Sequence, residues 1–199
     1  KLSGNPMRGL IGIGHTRWAT HGRVSELNAH PHIVGKVAIV HNGIIENFQE
    51  IKDRLISKGR KFTSQTDSEV IAHLFDEELN KSVTLKEATQ NVLRNLDGAY
   101  AFVVLMLDKP DTLIAARNAS PLAVGKGETL CAVGSDGIAL AGITNRLIFL
   151  EDGDFAILSK NNISLFDFNG NSVQREVKSN TLDPAVIGKG NHRHFMEKE

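Results

Sequence analysis

Apolar residues recur at helical spacing in three stretches between residues 47 and 95. Phe48, Ile51, Leu55 and Ile56 form one stripe and predict a helix over Asn47–Lys58, with Asn47 and Glu50 as a capping pair and Gly59 as its stop. Val70, Ile71, Leu74, Phe75 and Leu79 form a second, starting near Thr66 or Asp67. The third runs from Thr84 to about Asn95 and buries Leu85, Ala88, Val92 and Leu93, with Thr84 and Glu87 spaced as a capping box. From Ala99 the period shortens. Ala99–Leu107 is apolar on both faces, and the strands Thr112–Ala116, Ala123–Gly125, Thr129–Val133, Leu147–Leu150, Phe155–Ser159 and Ser164–Phe168 follow. Turn residues separate them, as at Asp108-Lys109-Pro110-Asp111, Asp152-Gly153-Asp154 and Asn169-Gly170-Asn171. Such short gaps favour antiparallel pairing. Helices grouped first and strands second predict an α+β fold with sheets covered by helices. Asp183-Pro184 to Gly190 reads as a linker.

The segment Gly9–Gly43 departs from both patterns. It reads as a strand at Gly9–Gly14, a long polar loop, a strand at Val37–Val40 buried on both faces, and a tight turn at Asn42-Gly43. It holds the only Trp, two Arg, two Asn and five of the eight His. A polar loop of this length, held at both ends by buried strands, is expected to bind a ligand or act as a lid.

Bulk properties narrow the function. The 199 residues are 41% hydrophobic, enough for a core, and 23 Lys plus Arg balance 23 Asp plus Glu. A net charge of zero removes the electrostatic argument for nucleic acid or an anionic membrane surface as partner. The longest apolar run has nine residues, far short of a membrane helix. The opening Lys1-Leu2-Ser3-Gly4-Asn5-Pro6 lacks the apolar segment of a signal peptide, and the single Cys131 forms no internal disulfide, so a reducing, cytoplasmic setting is expected. Both ends read as cut from something longer.

Several residues admit two readings. Arg17 and Asp67 together suit a zwitterion, the guanidinium taking a carboxylate and the carboxylate an ammonium, or they form a surface ion pair. Asn42-Gly43 supplies two adjacent donors for an oxyanion, or it is a hairpin dipeptide. His30-Pro31-His32, with His15 and His21, invites a metal, yet Glu26 is the only nearby carboxylate and hydrogen-bonding roles are favoured. Trp18, beside Arg17, reads as a lid or pocket wall. Cys131, in an apolar strand with nothing beside it to lower its pKa, reads as an inert thiol.

Four motifs carry a resemblance: His15-Thr16-Arg17-Trp18-Ala19-Thr20-His21-Gly22, Asn28-Ala29-His30-Pro31-His32, His41-Asn42-Gly43-Ile44-Ile45-Glu46-Asn47 and Thr66-Asp67-Ser68-Glu69-Val70-Ile71. In this order they resemble the glutaminase domains of the glutamine–fructose-6-phosphate aminotransferase (glucosamine-6-phosphate synthase) family, which are class II glutamine amidotransferases. The likeness continues through Asp97-Gly98-Ala99-Tyr100 and Ala116-Arg117-Asn118-Ala119-Ser120-Pro121-Leu122 and covers nearly the whole chain. It implies a four-layer αββα N-terminal nucleophile hydrolase fold, N-terminally truncated here. Residues 1–182 are then the glutaminase domain, and 183–199 begin a linker to an absent sugar isomerase domain.

The resemblance also implies a mechanism without cofactor or metal. An N-terminal cysteine attacks the side-chain amide of glutamine, with its own α-amine as base. Asn42 and the Gly43 N–H stabilise the oxyanion, Arg17 binds the substrate carboxylate and Asp67 its ammonium. Thr20 and His21 line the pocket, and Trp18 rides the loop that closes over glutamine. Ammonia then passes to the second domain to aminate fructose 6-phosphate, in a protein expected to be a homodimer. Lys1 is not that cysteine and is expected to fall inside the domain. The nucleophile is therefore expected in a preceding segment, and these 199 residues alone are expected not to hydrolyse glutamine. The competing readings are a catalytically inactive glutamine-binding module and a histidine metal hydrolase.

Overall fold

The computed structural model describes residues 9–17, 21–81 and 83–180. The anticipated linker, 183–199, lies outside them. Among the described residues two antiparallel sheets pack face to face. The first has six strands, in the order β1 (His32–Val34), β2 (Val37–Ile45), β3 (Gly98–Met106), β4 (Lys109–Asn118), β8 (Phe155–Leu158), β9 (Ile163–Phe166). The second has four: β10 (Val177–Ser179), β7 (Arg146–Phe149), β5 (Ala123–Lys126), β6 (Cys131–Gly134).

Period-two alternation explains the layers. In β3, Tyr100, Phe102, Val104 and Met106 face a core shared with the helices, while Ala101, Val103 and Leu105 face the second sheet. β2 and β4 follow the same rule: Ile39 and Ile114 point to the helical side, Val40 and Ala115 to the sheet–sheet core. A strand buried on both sides needs apolar residues at every position, hence the unbroken run Ala99–Met106. The helical layer is α1 (Phe48–Ser57), α2 (Glu69–Leu79) and α3 (Leu85–Leu93). α2 packs on α1, α3, β1 and β2, so it is buried almost all round. The outer side of the second sheet carries the one-turn helix α4 (Gly137–Leu140), whose Leu140 packs on Ala123 and Leu147.

Local chemistry sets the boundaries. The Thr84–Glu87 capping box forms, with Thr84 Oγ1 accepting from Glu87 N–H at 3.2 Å and Glu87 Oε2 accepting from Thr84 N–H at 2.9 Å. Gly59, at φ 85°, closes α1 with its N–H on the Ile56 carbonyl. Asn47 makes no side-chain cap. Its amide instead donates to the Asn95 carbonyl and accepts from Asp97 N–H, tying the start of α1 to the α3–β3 loop.

Several elements differ from the sequence pattern. Gly9–Gly14 is not a strand: three glycines interrupt it, and only Ile11 and Ile13 lean on the sheet–sheet core. The β3–β4 hairpin turns at Leu107-Asp108, two residues, because β4 begins already at Lys109 through a register shift at Leu105/Met106. The short pieces β1, β10 and α4 carry too little periodicity to be predicted. Most consequentially, Asn42-Gly43 is not a turn. β2 runs through both to Ile45, in register with Ala101 and Tyr100 of β3.

Candidate functional site

Where β2 extends beyond β1, its far end borders a cavity of about 280 Å³. Arg17, His21, His30, His41, Asn42, Gly43, Ile44, Thr66, Asp67 and Ser68 line it. Arg17, His21, Asn42, Gly43 and Asp67, singled out from the sequence, thus converge on one space from three chain segments. Trp18 and Thr20 lie outside the described residues.

Each side chain is placed by a specific partner. Gly43 sits at φ 116°, and any β-carbon there would collide with the Ala99 carbonyl of β3. Asp67 is buried just before α2. Its Oδ2 accepts the Ile45 N–H at 2.8 Å, while Oδ1 has no hydrogen-bond donor among the described residues and stands 3.8 Å from His21 Nδ1. Asp67 therefore cannot be half of a surface ion pair, and it makes none with Arg17 among the described residues. Arg17 adopts φ 57°, in the left-handed region that favours glycine. Its guanidinium donates to the His21 carbonyl at 3.1 Å and the Arg23 carbonyl at 3.3 Å, pinning the loop and leaving further N–H groups unused.

The helix-side wall is built from imidazoles and hydroxyls. His41 shares the helical face of β2 with Ile39, and its Nδ1 lies 2.9 Å from Ser68 Oγ, which also meets His30 Nε2 at 3.2 Å. His32 Nε2 meets Thr66 Oγ1 at 3.0 Å, and the His30 ring packs tilted against His15 and edge-on against His32. Burial pushes the His30 pKa down to about 3, helped by His15, His32, His41 and Arg17. Burial lowers His41 as well, against the opposing pull of Asp67. The cavity thus brings Arg17 and Asp67 together with two imidazoles, His30 and His41, that burial keeps uncharged at neutral pH. No three His, Cys, Asp or Glu among the described residues are arranged to hold a metal ion.

Glu69 anchors the segment carrying Thr66, Asp67 and Ser68. It is buried, and its carboxylate accepts from Thr63 N–H, Ser64 N–H and both their hydroxyls at 2.6–3.0 Å. Burial alone would raise its pKa, but the His73 imidazole, 3.7 Å from Oε1, and the hydrogen bonds from Ser64 and Thr63 outweigh this and hold it well below the usual carboxylate range. Cys131 lies elsewhere, on β6 of the second sheet, and burial pushes its thiol up. His30, His41 and Ser68 were not assigned to the pocket from sequence. Their signal was adjacency, His41 to Asn42 and Ser68 to Asp67, together with burial that only the fold reveals.

The chain matches the glutamine amidotransferase domain family over residues 15–141. It belongs to that family. This glutamine amidotransferase domain is 50% identical over 199 residues to the glutamine–fructose-6-phosphate aminotransferase [isomerizing] of Brucella suis biovar 1, covering all of this chain and 33% of the relative. The Agrobacterium fabrum protein of the same name is 48% identical over 198 residues, with the same coverage. The chain thus spans about a third of the length of the curated relatives it matches. Among solved structures, the domain is similar to glutamine phosphoribosylpyrophosphate amidotransferase from B. subtilis complexed with ADP and GMP. The TM-score is 0.66 at 28% identity, over 79% of this chain and 35% of that one. A structure titled as the allosteric regulatory enzyme of purine biosynthesis gives 0.58 at 29% identity, over 68% and 29%. The two-sheet sandwich between helical layers is the αββα arrangement of the N-terminal nucleophile hydrolases, as the resemblance implied. No helix among the described residues is long and apolar enough to cross a membrane.

Proposed function

We propose that this domain is the glutamine-binding and oxyanion-stabilising part of a glutamine–fructose-6-phosphate aminotransferase. The convergence of Arg17, Asp67, Asn42 and Gly43 on one cavity of amino-acid size carries the reading. The free N–H groups of Arg17 take the α-carboxylate, and Asp67 Oδ1 takes the α-ammonium. Those two charges fix the amino-acid end, and the side-chain carboxamide reaches Asn42 and Gly43. A cysteine thiolate supplied from outside these 199 residues attacks the carboxamide carbon. The oxygen becomes an oxyanion held by the Asn42 amide and Gly43 N–H, the C–N bond breaks with a proton delivered to nitrogen, and ammonia leaves. Water then cleaves the thioester to glutamate. In the full-length protein, expected to be a cytoplasmic homodimer on the resemblance alone, the ammonia aminates fructose 6-phosphate. Trp18 and Thr20 complete the pocket in this reading.

Calorimetry and turnover test it. In the full-length protein, Arg17→Ala and Asp67→Asn each raise the KM for glutamine at least about tenfold, the loss of a charge-assisted contact. Cys131→Ser leaves glutamate release intact. If these 199 residues alone bind glutamine in a calorimeter without releasing glutamate, the nucleophile is external. Glutamate release by this chain that vanishes in Cys131→Ser overturns the assignment.

A further inference from the structure

Asn42 can donate to an oxyanion only if its NH2, not its carbonyl oxygen, faces the cavity. The two ends of a carboxamide are nearly the same shape, so something must choose between them. Among the described residues, the side chain that meets this amide is His15, with Nε2 2.6 Å from Asn42 Oδ1. The other ring nitrogen settles the direction. Arg17 N–H, which can only donate, points at His15 Nδ1 at 2.8 Å, so Nδ1 carries the lone pair. The proton of the ring therefore sits on Nε2 and is donated to Asn42. That leaves Oδ1 as the acceptor and turns Nδ2, which has no protein partner among the described residues, away from His15. The His30 ring packs against the imidazole at 4.3 Å between centroids.

We infer that His15 is a positioning residue: it reads the Arg17 backbone through Nδ1 and fixes the Asn42 amide through Nε2, so that the carboxylate clamp and the oxyanion donor are set by one ring. The inference rests on the reading of Asn42 as an oxyanion donor. It makes a distinction between two amide replacements. In His15→Gln the amide nitrogen falls near the place of Nε2 and keeps a donor for Asn42. In His15→Asn the amide falls near the place of Nδ1 and serves only the Arg17 N–H.

The test is glutamine hydrolysis by the full-length protein. His15→Asn lowers kcat about tenfold or more with KM within about twofold, a fraction of the roughly 10²–10³ lost when an oxyanion donor is removed outright. His15→Gln keeps kcat well above His15→Asn, and His15→Asn combined with Asn42→Ala is no slower than Asn42→Ala alone. Equal slowing by Gln and Asn, or, in His15→Asn, a change in KM with kcat retained, overturns the role of His15 and leaves Asn42 standing. Retention of kcat in Asn42→Ala overturns the oxyanion reading itself and the inference with it.

Discussion

At residue 43 the backbone allows no side chain. The φ of 116° lies in a region that L-residues avoid, and a β-carbon would strike the Ala99 carbonyl of the neighbouring strand. Gly43→Ala must therefore open the β2–β3 ladder beside Asn42. The expected result is a loss of about 2–4 kcal/mol in urea unfolding, the strain of one forbidden φ plus a displaced strand pair. Glutamine turnover falls at the same time, because the Asn42 amide moves with the backbone. An unchanged unfolding midpoint would show that the strand tolerates the side chain by another route. Arg17 carries a milder form of the same strain, at φ 57°. Its own N–H, on the near side of that turn, is held by His15 Nδ1. The Asn42-Gly43 dipeptide shows why short motifs mislead in isolation: Asn-Gly is the strongest hairpin signal, yet both residues lie inside a nine-residue strand. What distinguishes the two cases is the glycine's steric clash with β3, which exists only once the sheet has formed.

At the level of elements, the start of α2 depends on one carboxylate. Glu69 lies in its first turn, where the helix dipole favours an anion, and it gathers two backbone N–H groups and two hydroxyls from residues 63 and 64. Replacing it by Ala leaves the buried Ser64 donors, and those of the exposed Thr63, without this acceptor. Glu69→Ala is expected to cost on the order of 3 kcal/mol in chemical unfolding. It should also weaken glutamine binding without touching the ligand, since Asp67 and Ser68 ride on the segment it holds. A variant with normal affinity and lowered stability would confine Glu69 to scaffolding. The three helices and the two-face apolar strands were legible from periodicity, because each buries a full stripe or both faces. The Thr84–Glu87 box was legible from spacing alone. Pieces of three or four residues, β1, β10 and α4, were not: they form because a neighbouring edge or face is available, and a sequence window contains no trace of that neighbour. The Asn47 cap failed for a similar reason, its amide being claimed by Asn95 and Asp97 from half the helical layer away.

For the molecule as a whole, the grouping of uncharged histidines around the cavity makes stability depend on pH in a definite direction. Burial depresses His30 to about 3 and lowers His32 and His41 below the ordinary 6.5. A histidine depressed by folding is neutral in the native state and takes up a proton only when the chain unfolds. Its contribution is complete above about pH 6.5 and shrinks as the pH falls from there toward the folded pKa. Glu69 works in the same direction at lower pH. Held below the carboxylate range, it stabilises fully above its unfolded value of 4.5 and loses that contribution as the pH drops through its folded value. Urea midpoints should therefore be level from pH 8 to about 7, decline from about 6.5 toward 5, and fall more steeply below about 4.5, with the denaturant slope unchanged in the upper range. A midpoint constant from pH 7.5 to 5 would mean that the imidazoles around His30 are as easily protonated in the fold as outside it. In that case the cavity wall that holds His30 and His41 would carry extra positive charge in mild acid. A zwitterionic amino acid would then meet a cavity with no anionic balance beyond one carboxylate, so the same titration that measures stability also reports whether the pocket keeps the two-charge pattern that suits glutamine.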